Sequence, residues 1–347
     1  MPRSLFDLTG RIALVTGSSR GIGRELARGL ADAGATVVLN GRDPSALDAT
    51  AASFAAAHGA GRVFASAFDV TDEEATRSAI NLIESECGPL DILVNNAGIQ
   101  LRVPLLDLAL ADWDRVIRHD LTSAFIVGRA VANGMIARGR GKIINICSVQ
   151  TDLARPAIAA YTAAKGGLRN LTRAMTAEWA AAGLQINAIA PGYIHTEMTQ
   201  SLVDDQRFND WIVGRTPAAR WGTPEDLVGP TVWLSSSGSD YVNGQVIFVD
   251  GGMTVVVLTR PAVEPASHRR PRALGEPGSA VMKTTCWSSS GTVSTSQWTR
   301  SSPARGCDIV FVRWPGRRTG CVSQISVNSS LPVRNSASSA ASPWSPG

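Results

Sequence analysis

"RIALVTGSSRGIGRELARGL", residues 11–30, sets an apolar run, a glycine-rich turn and a helical repeat end to end. The run reads as a strand buried on both faces, and the segment from Gly21 onward carries helical periodicity. The glycines divide the work of the turn. Gly17 permits a tight reversal, Gly21 lets a ligand's backbone come close, and Gly23 allows the helix to pack against the strand. The start of the helix then faces whatever anion lies over the turn, which suits a pyrophosphate. Glycine turns are common, so the strand–turn–helix setting gives this one its meaning.

Working outward, the same alternation recurs. Apolar runs appear at 36–41 ("TVVLNG"), 62–70 ("RVFASAFDV"), 90–98 ("LDILVNNAG"), 142–149 ("KIINICSV"), 184–192 ("LQINAIAPG") and 245–252 ("QVIFVDGG"). Helical segments separate them, "DEEATRSAINLIESECG" among them. Strand–helix alternation on this scale predicts a single-domain α/β fold, a Rossmann-like doubly wound parallel sheet over residues 1–257. Ligands of such sheets sit beyond the carboxyl ends of the strands, where Gly, Asn and Ser cluster in this chain. After the second run, where an NAD site places a carboxylate, "VVLNGRD" sets Gly41 and Arg42, with Asp43 one residue too late. Arg42, with Arg20 in the glycine turn, can pair with a ribose 2′-phosphate, which favours NADP(H). The competing reading of both arginines is ordinary solvated surface.

Composition bounds the rest. Of 347 residues, 44% are hydrophobic and 18% charged, as in soluble globular proteins. The net charge of +4 is uneven: residues 258–347 carry eleven Lys/Arg and three Asp/Glu, leaving 22 basic against 26 acidic residues in 1–257. The mildly acidic first part argues against nucleic acid as a partner. The basic Ser/Pro/Arg-rich segment 258–347 lacks helical or strand period apart from "CDIVFVRW" (307–314), so it is expected to be largely disordered. Its makeup resembles out-of-frame translation of GC-rich DNA, which predicts a frameshifted terminus. Five cysteines form neither a disulfide framework nor a metal-ligand spacing, so no metal is expected and a reducing cytoplasm fits. No apolar stretch approaches the ~18–20 residues of a membrane helix, and "MPRSLFDLTGR" has no signal-peptide core, so no membrane association is expected.

"SVQTDLARPAIAAYTAAKGG", residues 148–167, carries the chemistry. Ser148 is read as the end of the fifth strand, and Tyr161 and Lys165 share one face of the next helix. A phenol with its ordinary pKa near ~10 is a poor acid–base group at neutral pH. The neighbouring ammonium, together with an oxidised nicotinamide, is expected to bring it toward the working range. Ser148 can hold a substrate oxygen against the phenol. The implied reaction is hydride transfer between an alcohol carbon and a nicotinamide, with Tyr161 moving the proton. A Tyr-x3-Lys pair by itself is more often helix surface; the serine and the glycine turn change that balance.

These segments, with "NNAG" (95–98) and "PGYIHTEM" (191–198), resemble the short-chain dehydrogenase/reductase family over roughly residues 5–257. Within it, "GIQLRVPLLDL", "GKIINICSVQ", "LARPAIAAYTAAKGG", "RTPAARWG" and "VNGQVIFVDGGM" are similar to the gluconate 5-dehydrogenases, also called 5-keto-D-gluconate reductases. The resemblance implies interconversion of D-gluconate and 5-keto-D-gluconate. It implies that Gly17, Ser19, Arg20, Gly21, Ile22 and Gly23 cradle the cofactor. Asp69 and Val70 would sit against the adenine, and Asn95, Ala97 and Gly98 would line the adenosine side and steady the sheet. Pro191, Gly192, Ile194 and Thr196 would hold the nicotinamide end, and Tyr161 and Lys165 would also touch the cofactor. The family's fourth catalytic residue is an asparagine; "HDLTSAF" puts Asp120 there, which cannot donate as an amide does and predicts altered or reduced activity. Arg102 is the candidate cation for a sugar-acid carboxylate, and Gln150 and Arg155 for its hydroxyls, each with an alternative as a loop hydrogen-bonder. His195 is expected on a loop over the site, without an acid–base role. Trp113, Trp179 and Trp233 are expected to pack, and Trp211 and Trp221 to flank a lid. A homotetramer built through the helices after strands four and five is also implied. The competing functions are a 3-oxoacyl carrier-protein or other polyol reductase, and a catalytically weak NADP-binding protein, for which Asp120 is the support.

Overall fold

A computed structural model describes residues 5–257 and, further on, the backbone of two strands, Val281–Trp287 and Val293–Thr299. The chain divides into two units, Met1–Val263 and Glu264–Gly347. In the first, seven strands form one parallel sheet: β1 (Ile12–Val15), β2 (Thr36–Gly41), β3 (Val63–Ala67), β4 (Ile92–Asn95), β5 (Gly141–Ile146), β6 (Leu184–Pro191) and β7 (Val246–Val249). Their order is β3-β2-β1-β4-β5-β6-β7. Chain order reverses between β1 and β4, so the turn after β1 opens at the switch point where such sheets take ligands.

The connecting helices are α1 (Gly21–Asp32), α2 (Pro44–His58), α3 (Glu73–Glu86), α4 (Leu110–Ile117), α5 (Ser123–Ala137), α6 (Ala159–Trp179), α7 (Gln200–Val203), α8 (Gln206–Arg215) and α9 (Val228–Ser235). Successive strand residues serve opposite faces, both covered by helices, which explains why the strands are mostly apolar rather than alternating. Ala13, Val15, Val37, Leu39, Ile92 and Val94 pack with Leu26 and Leu30 of α1, Phe54 of α2 and Leu234 of α9. Leu14, Val38, Leu93, Ile143 and Ile186 pack with Ile80 and Ile83 of α3, Val127, Val131 and Met135 of α5 and Met175 of α6. Trp233 and Trp179 pack against the first and second of these cores, and Cys87 ends α3.

One boundary differs from the sequence reading. β5 ends at Ile146, and Ser148 lies outside it as the cap of a short turn, Val149–Thr151, its Oγ accepting from Gln150 N at 3.2 Å. The hydroxyl satisfies a backbone donor that a continued ladder would have used. In the second unit, Val281–Trp287 and Val293–Thr299, strands β8 and β9, pair antiparallel, a pairing the sequence reading did not anticipate. The run 307–314 and the proposed frameshift lie outside the described residues, as does most of the segment expected to be disordered.

Candidate active site

The turn after β1 is held from three sides. Gly17 has φ +62°, and a Cβ there would stand 2.9 Å from Ala97 Cα. Asn96 Nδ2 donates to Thr16 O (2.9 Å) and Gly17 O (3.0 Å), and Asn40 Oδ1 accepts from Gly17 N at 3.3 Å. A Cβ on Gly23 would stand 2.4 Å from both Gly17 O and Asn96 Nδ2, so helix and turn are in direct backbone contact. Gly21, with φ +56°, has no protein atom within 4 Å of a built Cβ, so space is open above it. Helix α1 starts at Arg20 with no side-chain cap, leaving its first N–H groups for another acceptor. Ser19 O accepts from Thr50 Oγ1 (3.0 Å), and Ile22 packs against the core. This arrangement fits a dinucleotide pyrophosphate.

Beyond β2, Asp43 is committed to α2: its Oδ1 accepts from Ser45 N (3.0 Å) and Ala46 N (3.3 Å). Arg42 is exposed beside it and helps hold the Asp69 carboxyl below its usual range; burial opposes that, while two bonds from Thr71 at 2.8 Å support it. Val70 is buried. Arg20 reaches the other way, to Glu197 at 3.5 Å, with both side chains largely exposed. Asn95 serves the sheet: its Nδ2 donates to Asn145 Oδ1 at 2.9 Å, and Asn145 Nδ2 donates to Thr172 Oγ1 at 2.9 Å. The work of holding the turn at this corner belongs to Asn96.

Ser148, Tyr161, Lys165 and Asp120 converge beyond β5. Lys165, buried, donates from Nζ to Ile146 O at 2.9 Å and lies 5.4 Å from the centre of the Tyr161 ring. The Ser148 hydroxyl faces the phenol. Asp120 sits in a π-helical turn, Arg118–Thr122, between α4 and α5, its carboxylate out of solvent. Oδ1 accepts from Ile99 N at 2.8 Å, and Oδ2 stands 3.3 Å from Lys165 Nζ. The pair is ionic in distance but lies outside hydrogen-bond alignment, and Oδ2 has no hydrogen-bond donor among the described residues. The Lys165 ammonium is held above its ordinary value, Asp120 and Tyr161 outweighing burial. Burial raises the Asp120 carboxyl against the pull of Lys165 and Ile99 N–H. The Tyr161 phenol is also raised, contrary to the expectation from sequence. Burial is the largest cause, Lys165 pulls the other way, and the Asp120 charge adds to the rise. Cys147, buried beside them, has its thiol pushed up to about 11 by desolvation and is inert at neutral pH.

The opposite wall comes from the end of β6 and the segment after it. Pro191 pairs with Val249, Gly192 N donates to Val249 O (2.9 Å), and Ile194 is buried. Thr196 caps the turn Glu197–Thr199, and Thr199 Oγ1 donates to Ile194 O at 2.7 Å. His195 is exposed, its Nε2 2.9 Å from Gln200 Oε1. Tyr193 meets Phe208, Trp211 and Trp221 edge-on, with its ring 5.7 Å from Trp221, and Phe208 is tilted against both tryptophans. Arg155 lies over the Phe208 ring at 5.3 Å. Burial pushes the Tyr193 phenol up, against Arg155 and Arg102. Arg102 makes three long contacts, to Ser201 Oγ (3.3 Å), Gln100 Oε1 (3.4 Å) and Met198 O (3.4 Å). Gln150 is buried, and its Oε1 has no hydrogen-bond partner among the described residues. Two cations, Arg102 and Arg155, thus gather around the Tyr193 phenol.

A family model described as Enoyl-(Acyl carrier protein) reductase, of the short-chain dehydrogenase/reductase type, matches residues 17–254. The chain belongs to the short-chain dehydrogenase/reductase family. Among its relatives, a gluconate 5-dehydrogenase of Gluconobacter oxydans (strain 621H) is 55% identical over 251 residues, covering 72% of this chain and 97% of the relative. A 5-keto-D-gluconate 5-reductase of Escherichia coli (strain K12) is 46% identical over 253 residues, 73% of this chain and 99% of the relative. The crystal structure of a gluconate 5-dehydrogenase from Burkholderia cenocepacia J2315, in complex with NADP and tartrate, superposes with a TM-score of 0.71 at 51% identity, covering 73% of this chain and 98% of that one. This short-chain dehydrogenase is therefore an oxidoreductase.

The sequence reading of this dehydrogenase passed over Asn96, Asn40 and Tyr193. Asn96 stands inside "NNAG", where nothing local distinguishes it from its neighbour Asn95. Asn40 precedes Gly41 in a strand whose side-chain direction only the fold reveals. Tyr193 lies within the quoted "PGYIHTEM" but gains its meaning from Arg155, thirty-eight positions away.

Proposed function

We propose that this chain is an NADP(H)-dependent oxidoreductase that interconverts D-gluconate and 5-keto-D-gluconate. The observation that carries it is the convergence of Ser148, Tyr161 and Lys165 beyond β5, with Arg102 and Arg155 gathered around Tyr193 on the segment after β6. Gluconate offers a carboxylate for the guanidinium groups. The long contacts of Arg102 are weak enough for a carboxylate to displace. The names of the relatives point the same way.

When bound, NADP(H) accepts or supplies the hydride. Gly17 through Gly23 would hold its pyrophosphate, and Arg42, with Arg20 once released from Glu197, its 2′-phosphate. Asp69 and Val70 would border the adenine, and Ala97 and Gly98 the adenosine. Pro191, Gly192, Ile194 and Thr196 would border the nicotinamide, with Tyr161 and Lys165 facing its ribose. In oxidation, Ser148 holds the alcohol oxygen and Tyr161 Oη takes its proton as the carbon loses hydrogen with its electron pair. In reduction Tyr161 Oη returns a proton to the ketone oxygen, and Lys165 keeps a positive charge beside the phenol in both directions.

Residues 1–257 form the catalytic domain in this reading, supported by relatives whose length is almost fully covered by about three-quarters of this chain. It includes a cytoplasmic enzyme assembled as a homotetramer. The test is a panel of sugar acids and keto acids assayed with NADP(H) and NAD(H), with a 3-oxoacyl thioester alongside. Gluconate turnover with NADP⁺ that is abolished in Tyr161→Phe is expected. Turnover of the thioester but of no sugar acid would overturn the substrate assignment.

A further inference from the structure

Asp120 is the one charged side chain in the catalytic group whose place the reaction itself does not require. Its carboxylate is closed off from solvent on the side of Gly98, where a Cβ would stand 2.8 Å from Oδ2. Oδ1 accepts from Ile99 N, and Oδ2 faces Lys165 Nζ at 3.3 Å. Oδ2 has no hydrogen-bond partner among the described residues. A protonated carboxyl would need an acceptor there, whereas an ammonium offers only donors. Burial raises the Asp120 carboxyl, but its polar neighbours, the Lys165 ammonium and the Ile99 N–H, both match the charge-bearing state.

We propose that Asp120 is a positioning residue that serves as a fixed anion, anchoring Lys165 between itself and Ile146 O and keeping Tyr161 protonated to a higher pH than a neutral amide at this position would. The proposal deepens the oxidoreductase reading above and rests on it for its functional consequence. A cation already paired 3.3 Å away stabilises a nearby phenolate less, and the anion also repels that phenolate. The direction agrees with the raised phenol. The other charged or titratable groups facing this cluster are few. His119, on the same turn, has Nδ1 2.8 Å from Arg115 O. Cys147 is a neutral thiol, and Arg169 and Asp152 beyond it are paired with each other. None of these replaces Asp120 as counter-charge to Lys165.

The consequence concerns direction. Ketone reduction consumes a proton from the phenol, while alcohol oxidation requires the phenolate to take one. Holding Tyr161 protonated makes the group ready for reduction at neutral pH and moves efficient oxidation into the alkaline range. Only rates at a given pH change; the overall equilibrium does not.

The full chain, free of cofactor and labelled at tyrosine Cζ with carbon-13, provides the test. It has three tyrosines, at 161, 193 and 241, and Tyr161→Phe assigns the relevant signal. In Asp120→Asn the Tyr161 titration is expected to move down by about one pH unit, with Tyr193 and Tyr241 unmoved. The rising limb of gluconate oxidation should move the same way, about tenfold in kcat/KM at a fixed pH on that limb. An unmoved or upward-shifted Tyr161 titration would overturn the proposal. If Asp120→Asn does not fold, the Asp120 Cγ resonance of the parent at pH 7 decides: an ionised position supports the proposal and a protonated one overturns it. Because the titration uses no substrate, a wrong sugar-acid assignment leaves it intact, and its failure leaves the substrate assignment standing.

Discussion

Replacing Gly23 by alanine tests the joint between the cofactor turn and helix α1. The added Cβ would lie 2.4 Å from Gly17 O and 2.4 Å from Asn96 Nδ2, about 1 Å inside ordinary van der Waals contact. Gly17 O belongs to a backbone pinned by Asn40 and Asn96, so the asparagine amide or the helix must yield. Overpacking of this kind costs about 1–3 kcal/mol. Losing the Asn96–Gly17 hydrogen bond adds about 1 kcal/mol. A total of about 2–4 kcal/mol in a domain of this size lowers Tm by roughly 5–15 °C. The turn's N–H groups are displaced together, so affinity for NADP⁺ should fall at least about tenfold. Gly21→Ala separates packing from approach. Its Cβ meets no protein atom, so stability falls only by the cost of the positive φ, about 1–2 kcal/mol, while NADP⁺ binding is lost to the filled space. Thermal melts with and without NADP⁺, beside calorimetric titration, read both variants. A Gly23→Ala protein melting within about 1 °C of the parent with unchanged NADP⁺ affinity would refute the described contact.

Other outcomes follow from the same geometry. Arg42→Ala should raise KM for NADP⁺ about tenfold, the low end for a charge-assisted bond at an exposed site, and leave KM for NAD⁺ unchanged in steady-state assays. Arg102→Gln should raise KM for gluconate about tenfold with kcat little altered; an equal loss in kcat would place Arg102 in the transition state instead. Because the Tyr161 phenol is raised and the Lys165 ammonium is raised, oxidation should gain rate as pH climbs through the alkaline range. Reduction should stay level near neutrality and fall only as the phenol ionises. A pH–rate series in both directions checks the pair.

The sheet was legible because its strands are mostly apolar and each ends in, or is followed within two residues by, Gly, Asn, Asp or Ser. The seven runs read from sequence coincide with the seven parallel strands to within a few residues. The nucleotide turn and the Tyr-x3-Lys helix were legible for a related reason: their spacing is local, fixed by one turn or one helical repeat. What local spacing could not convey were partners brought in from afar. Asn96 meets Gly17 from seventy-nine positions away, and Arg102 meets Ser201 across ninety-nine. The capping role of Asp43 was likewise beyond a reading that counted it only as a misplaced ribose ligand. "IINICSV" is continuous in hydropathy, whereas β5 ends at Ile146 and the Ser148 hydroxyl caps the turn that follows.

Tyr161 shows where residue identity is insufficient. From the sequence, a lysine one helical turn away can only lower the phenol. In the fold, that lysine has other obligations: the Ile146 carbonyl takes one of its hydrogens and the Asp120 carboxylate takes a share of its charge. Electrostatic assistance to a phenolate depends on what remains of the cation after its nearer partners are counted. Asp120 reaches Lys165 only because the π-helical turn carries it inward and Gly98 leaves it room. The acid–base character of the site is thus shaped by a residue on a different element, in space that the missing side chain of Gly98 leaves to it.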